Sequence, residues 1–211
     1  MSGLQPICFL SGWAGYRELF PFLGRLPHFY VPFAPHGEQA IRNILLGQDG
    51  DQTLVAWSTG AHMVLKWGAD IIDRFARVVL VAPFLDFTAC LPCRIIRNMQ
   101  ARLEQEGPGV LTAFYANCGV PSDLAVPLEG VHVDQLIRGL AYLVRSRCIP
   151  DLLADVQTPI HLVHGSKDRI VPKRAFARVG SLLPRAKVHC FPCGHFVPDH
   201  LLTSLVESSI P

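Results

Sequence analysis

The chain has 211 residues, is 50% apolar and carries a formal net charge of +2. Those figures suit one globular domain with a substantial core and room for a small inserted subdomain. So slight a charge gives no reason to expect nucleic acid or a strongly acidic partner, and no apolar run is long enough to span a membrane.

The first residues, "MSGLQPICFLSGWAG", lack the basic n-region of a secretory signal, so a soluble, cytoplasmic protein is expected. The cysteine count is odd, seven in all, which fits reduced thiols. Two C-x-x-C pairs, Cys90/Cys93 and Cys190/Cys193, stand too far apart in the chain for a compact zinc ribbon. They read as small apolar residues near loop ends, with a metal or redox pair as the alternative.

In chain order, "ICFLSGW" (Ile7–Trp13) reads as a buried strand and "HFYVPFA" (His28–Ala34) as a second. "QAIRNILL" has helical spacing. "QTLVAW" (Gln52–Trp57) is a third strand, followed at once by Ser58-Thr59-Gly60 and the helical "AHMVLKWGADII". "RVVLVAPF" (Arg77–Phe84), "IHLVHG" (Ile160–Gly165) and "AKVHCF" (Ala186–Phe191) give strands four to six. "KRAFARVGSLL" precedes the last strand and "DHLLTSLVESS" follows it, both helical. Continuous apolar strands alternating with helices predict a parallel sheet covered on both faces.

One interval breaks the rhythm. Between Phe84 and Pro159 no strand is recognisable, but "CRIIRNMQARLEQE", "VLTAFYANCG" and "VDQLIRGLAYLVRSRC" are helical. The expected division is a core of residues 1–84 and 151–211 with a helical lid of residues 85–150. Such a lid would cover the C-terminal strand ends, where open α/β sheets place their sites.

"VAWSTGAHM" poses the central choice. A nucleophile elbow reads G-x-S-x-G at a strand-to-helix turn, and Ala56 stands at the first glycine. Ser58 is either a nucleophile on that strained turn or the N-cap of the following helix, where serine is favoured. Context decides for the nucleophile. A serine needs a histidine base, and the histidine needs a carboxylate. Asp168 follows the fifth strand and His195 the sixth, giving the hydrolase order Ser58, Asp168, His195 at one sheet edge. Ala56 then has room for only a methyl group against the helix after Ser58.

The remaining histidines fit less well. His161, His164 and His189 read as core or edge residues, His62 as a packed or solvated helix residue, and His200 lies in the final helix. His36 follows the second strand and is a candidate pocket contact. Backbone N–H groups of Thr59 and of Trp13, in the loop after the first strand, are the expected oxyanion donors.

In series, "SGWAG", "AWSTG", "GSKDRIVP" and "CGHF" resemble the α/β-hydrolase superfamily. The resemblance implies a minimal fold of about six parallel strands, lacking the two leading strands of the usual eight, with a helical lid. Within it, Gly12-Trp13 and Trp57-Ser58 are most like the pimeloyl-acyl-carrier-protein methyl ester carboxylesterases of biotin synthesis. That likeness implies an acyl ester substrate, no metal and no organic cofactor, and an acyl carrier protein as partner. Lid arginines hold the carrier in that family, which gives the role here to Arg94, Arg97, Arg102, Arg138 and Arg145. The interval Phe84–Pro150 has six arginines and six acidic residues, so only their facing could make a basic patch. Ala56 and Ser11 depart from the commoner family pattern.

Overall fold

The computed structural model describes residues 6–48, 50–124 and 126–207, without the side chain of Glu207. Residues 1–5 and the expected end of the last helix at Ser208-Ser209 lie outside that description.

Strand β1 (Ile7–Leu10) is followed by two 3₁₀ turns and by β2 (Phe29–Tyr30), α1 (Glu38–Leu46), β3 (Thr53–Trp57), α2 (Thr59–Trp67) and α3 (Ala69–Ile72). Then come β4 (Arg77–Val81), the helices α4 (Cys93–Glu106), α5 (Val110–Cys118) and α6 (Val133–Arg145), β5 (Ile160–Gly165), α7 (Lys173–Leu182), β6 (Lys187–Phe191) and α8 (Asp199–Glu207). The six strands form one sheet in the order β2-β1-β3-β4-β5-β6, and every neighbouring pair is parallel.

Burial explains why the sheet is readable. Every residue of β1, β3 and β5 is buried, as a strand covered by helices on both faces requires. β6 lies at the sheet edge, and its pattern is largely exposed.

Three strands end earlier than their apolar runs suggest. After β1, the Ser11 hydroxyl donates to the Gly15 carbonyl (2.6 Å) and Ala14 takes φ 54°, closing a tight loop. After β2, Pro32 offers no N–H and Phe33 turns to φ 67°. After β4, Ala82 takes φ 48° and Pro83 follows. The expected single helix after Ser58 is two helices, because the backbone leaves helical geometry at Gly68 (φ 62°, ψ −147°). A side chain there would also strike the Leu152 carbonyl.

The helices α4, α5 and α6 form the insertion between β4 and β5. Leu136, Leu140 and Leu143 of α6 are buried, giving it the apolar stripe that its spacing predicts. Tertiary hydrogen bonds fasten the insertion to the core. Trp13 Nε1 donates to Leu136 O (2.9 Å), Tyr115 Oη to Ala14 O (2.9 Å) and the Phe196 N–H to Cys118 O (2.9 Å). Its return to the sheet is held by an ion pair of Arg147 with Asp86 (2.8 Å).

Candidate active site

Ser58 sits between β3 and α2 with φ 53° and ψ −112°. A non-glycine residue rarely adopts such a conformation, and it persists only where the surroundings enforce it. Here the Ser58 N–H donates to Val81 O on β4 (2.8 Å), and the Ser58 carbonyl accepts from His62 N–H (2.9 Å). The hydroxyl makes no helix cap. It meets Nε2 of His195 at 2.8 Å instead.

Room for the turn comes from Gly60. A side chain there would lie 2.4 Å from both the Leu10 and the Ser11 carbonyls. The tight approach at this elbow is therefore to β1. Ala56 is fully buried in register between Leu10 and Leu80.

His195 is 1% exposed, and its Nδ1 lies 2.9 Å from Asp168 Oδ2. A carboxylate only accepts, so Nδ1 carries the proton and Nε2 is left to accept from the serine hydroxyl. Asp168 is held in turn by its own loop. Its Oδ1 accepts the N–H groups of Ile170 (2.8 Å) and Val171 (2.9 Å). Burial pushes the Asp168 carboxyl up, but His195 and these two N–H donors outweigh it and hold the group below the usual carboxylate range.

Sequence reasoning misses two supports. Trp57, read there only through its place beside Ser58, donates from Nε1 to the His195 carbonyl (3.0 Å) and so fixes the histidine loop. His164 donates from Nε2 to Val171 O (2.9 Å), bracing the loop that holds Asp168. A tryptophan before the serine is the only signal for the first, and nothing local signals the second.

A cavity of about 320 Å³ opens beside Ser58 and His195. Trp13 and Thr59 line it, and their backbone N–H groups have no hydrogen-bond partner among the described residues. Trp13 is wedged edge-on against Phe114 of α5 (4.9 Å between ring centres), so the helical insertion helps set this wall. Ile96, Met99, Phe114, Leu140 and Leu143 supply an apolar roof from α4, α5 and α6.

The lid arginines are dispersed. Arg102 lines the cavity and is paired bidentately with Glu106 (2.8 Å). Arg138 pairs with Asp134 on its own helix (2.5 Å). Arg94, Arg97 and Arg145 are exposed, do not line the cavity and have no ion-pair partner among the described residues. His36 is exposed on a loop closed by its own carbonyl, which accepts the Phe33 N–H (2.7 Å), and stands outside the cavity lining.

Among the described residues, no cluster of three or more His, Cys, Asp or Glu side chains is placed to hold a metal ion. None of the described helices is long and apolar enough to cross a membrane.

Residues 10–202 match the model of the alpha/beta hydrolase family. The chain belongs to this family. Its structural neighbours include an esterase from Exiguobacterium antarcticum, at TM-score 0.74 and 15% identity, covering 99% of this chain and 91% of that one. A thermophilic esterase from Thermogutta terrifontis aligns at TM-score 0.70 and 15% identity, over 98% and 88% of the two chains. An esterase from a Rhodococcus species gives TM-score 0.64 and 18% identity, over 97% and 88%. At such identities the likeness to these structures is one of fold. No curated protein matches the chain in sequence.

Proposed function

We propose that this α/β hydrolase is a serine carboxylesterase. The observation that carries the reading is the continuous hydrogen-bonded line Asp168–His195–Ser58, ending on a strained serine beside an apolar cavity.

The chemistry runs in two steps. Ser58 Oγ attacks the ester carbonyl carbon while His195 Nε2 takes the hydroxyl proton. The carbonyl electron pair moves onto oxygen, facing the N–H groups of Trp13 and Thr59. Asp168 keeps the imidazole in the Nδ1–H form and balances its transient charge. The carbon–alcohol oxygen bond then breaks, and the alcohol leaves with the proton from His195. Water repeats the sequence on the acyl-enzyme and frees Ser58.

The substrate we favour is the methyl ester of pimeloyl-acyl carrier protein. The Gly12-Trp13 loop, Trp57 before Ser58 and an apolar cavity roofed by helices support it. With Arg102 and Arg138 neutralised by acidic neighbours, carrier docking on the lid would fall to Arg94, Arg97 and Arg145. A general small-ester hydrolase, a thioesterase and a binding protein with a vestigial site are the competing readings.

The test uses purified wild type and Ser58→Ala on pimeloyl-carrier-protein methyl ester. Turnover by the wild type alone is expected; equal turnover by both would overturn the mechanism. A fluorophosphonate probe should label Ser58, and folded protein that resists labelling would favour the binding protein. A wild type that labels but leaves this ester intact would overturn the substrate alone. Rates on a methyl ester and its matching thioester separate esterase from thioesterase.

A further inference from the structure

The cavity beside Ser58 is apolar over most of its wall, yet its polar rim is uneven in charge. Asn98 and Arg102 of α4, Asn117 of α5 and Arg169 after β5 all line it and are all exposed. No Asp or Glu is among the lining residues. Arg102 already has a carboxylate, held through both its Nε and an Nη by Glu106. Arg169 has no hydrogen-bond or ion-pair partner among the described residues.

Its backbone is well fixed. Arg169 lies between Asp168 and Ile170, within the turn that the Asp168 carboxylate closes on the N–H groups of Ile170 and Val171. The same carboxylate holds His195. A permanent cation is thus carried by the loop that positions the histidine, at the edge of the space an acyl chain would fill.

A guanidinium stays charged at any working pH, and its fork of donors matches a carboxylate or phosphate. An unpaired one over an apolar cavity, with no competing acid in the wall, favours a ligand that is greasy in the middle and anionic at one end.

We propose that Arg169 sets substrate preference by receiving an anionic group on the acyl side of the substrate, remote from the scissile ester. The substrate class is then esters of acids that carry a second, negatively charged terminus. This rests on the serine-hydrolase reading and narrows it. The anion has two sources of the same chemistry, the free carboxylate of a dicarboxylic half-ester and the phosphate of a phosphopantetheine arm.

Three methyl esters test it: dimethyl pimelate, monomethyl pimelate and methyl pimeloyl-phosphopantetheine. The readout is the ratio of kcat/KM on each anionic ester to that on the neutral diester. The wild type should favour at least one anionic ester, chiefly through KM. Arg169→Gln should lower that ratio about tenfold, the size expected for one charge-assisted contact. Arg169→Lys should recover part of it, and Arg169→Glu should reverse the preference. Loss on the half-ester alone identifies the carboxylate; loss on the phosphopantetheine ester alone identifies the phosphate. Ratios unchanged by all three substitutions would overturn the inference while leaving the hydrolase intact. Failure of the wild type on all three esters, with no labelling of Ser58, would overturn the hydrolase reading and this inference together.

Discussion

Two buried histidines in this protein each meet a serine hydroxyl, yet only one has the surroundings of a catalytic base. His195 meets a serine hydroxyl at 2.8 Å through Nε2, and His62 does the same with Ser146 (2.8 Å). They differ at Nδ1. His195 faces the Asp168 carboxylate at 2.9 Å, whereas His62 faces the neutral Phe84 carbonyl at 3.0 Å. Only a carboxylate can balance the charge that a working base acquires. His195 also opens on the cavity, while His62 is fully buried between α2, the exit of β4 and the end of the lid. A serine–histidine hydrogen bond is therefore no mark of a base by itself. What distinguishes the site is the carboxylate behind the ring, the strained serine in front and the space beside them.

Removing the proposed nucleophile should separate the pairs most widely. Ser58→Ala is expected to cut ester kcat by a factor on the order of 10⁵–10⁶, as loss of a triad nucleophile does elsewhere. Ser146→Ala should leave kcat within about twofold, read in the same steady-state assay. A comparable loss in both variants would erase the distinction between the two pairs.

Asp168→Asn tests the carboxylate directly. The amide can hold the ring in the wrong tautomer and cannot balance the imidazolium, so kcat near neutral pH should fall by about 10⁴-fold. A folded variant that keeps the wild-type kcat would count against that role.

The third expectation concerns acid. Burial drives the His62 pKa from its ordinary 6.5 down to about 4. Between those values the unfolded chain binds a proton at His62 that the fold refuses. Stability from this group is then complete above pH ~6.5 and falls as the pH drops toward ~4, by about 3 kcal/mol in all. Urea unfolding of wild type and His62→Gln across that range should give a shallower slope for the variant. Parallel curves would show that His62 does not contribute.

The smallest effect is structural. Ser146→Ala leaves the buried Nε2 of His62 without its donor and should cost about 1–3 kcal/mol. Chemical denaturation measures this beside the near-normal kcat already expected.

The sheet is legible because strands buried on both faces leave continuous apolar runs, as in "TLVAW" and "IHLVHG". The strand ends are less so. Ala14, Phe33 and Ala82 turn the chain through positive φ without glycine to signal it. The insertion between β4 and β5 is recognisable as helical, but its arginines are not sortable. Whether Arg102 meets Glu106 depends on rotamers and neighbours, whereas the facing of Leu136, Leu140 and Leu143 follows from helical spacing alone.

From the sequence alone came the parallel sheet and the order Ser58, Asp168, His195 at the ends of the third, fifth and sixth strands, since parallel strands joined by helices bring alternate loops to one edge. Tertiary structure alone decided that a second serine–histidine pair, Ser146–His62, stands without a carboxylate, that the Trp57 indole pins the histidine loop, and that Arg169 stands unpaired at the cavity rim. Those contacts join residues as far apart as Trp57 and His195, 138 positions in the chain, and hydrophobic periodicity carries no record of a hydrogen bond across that distance.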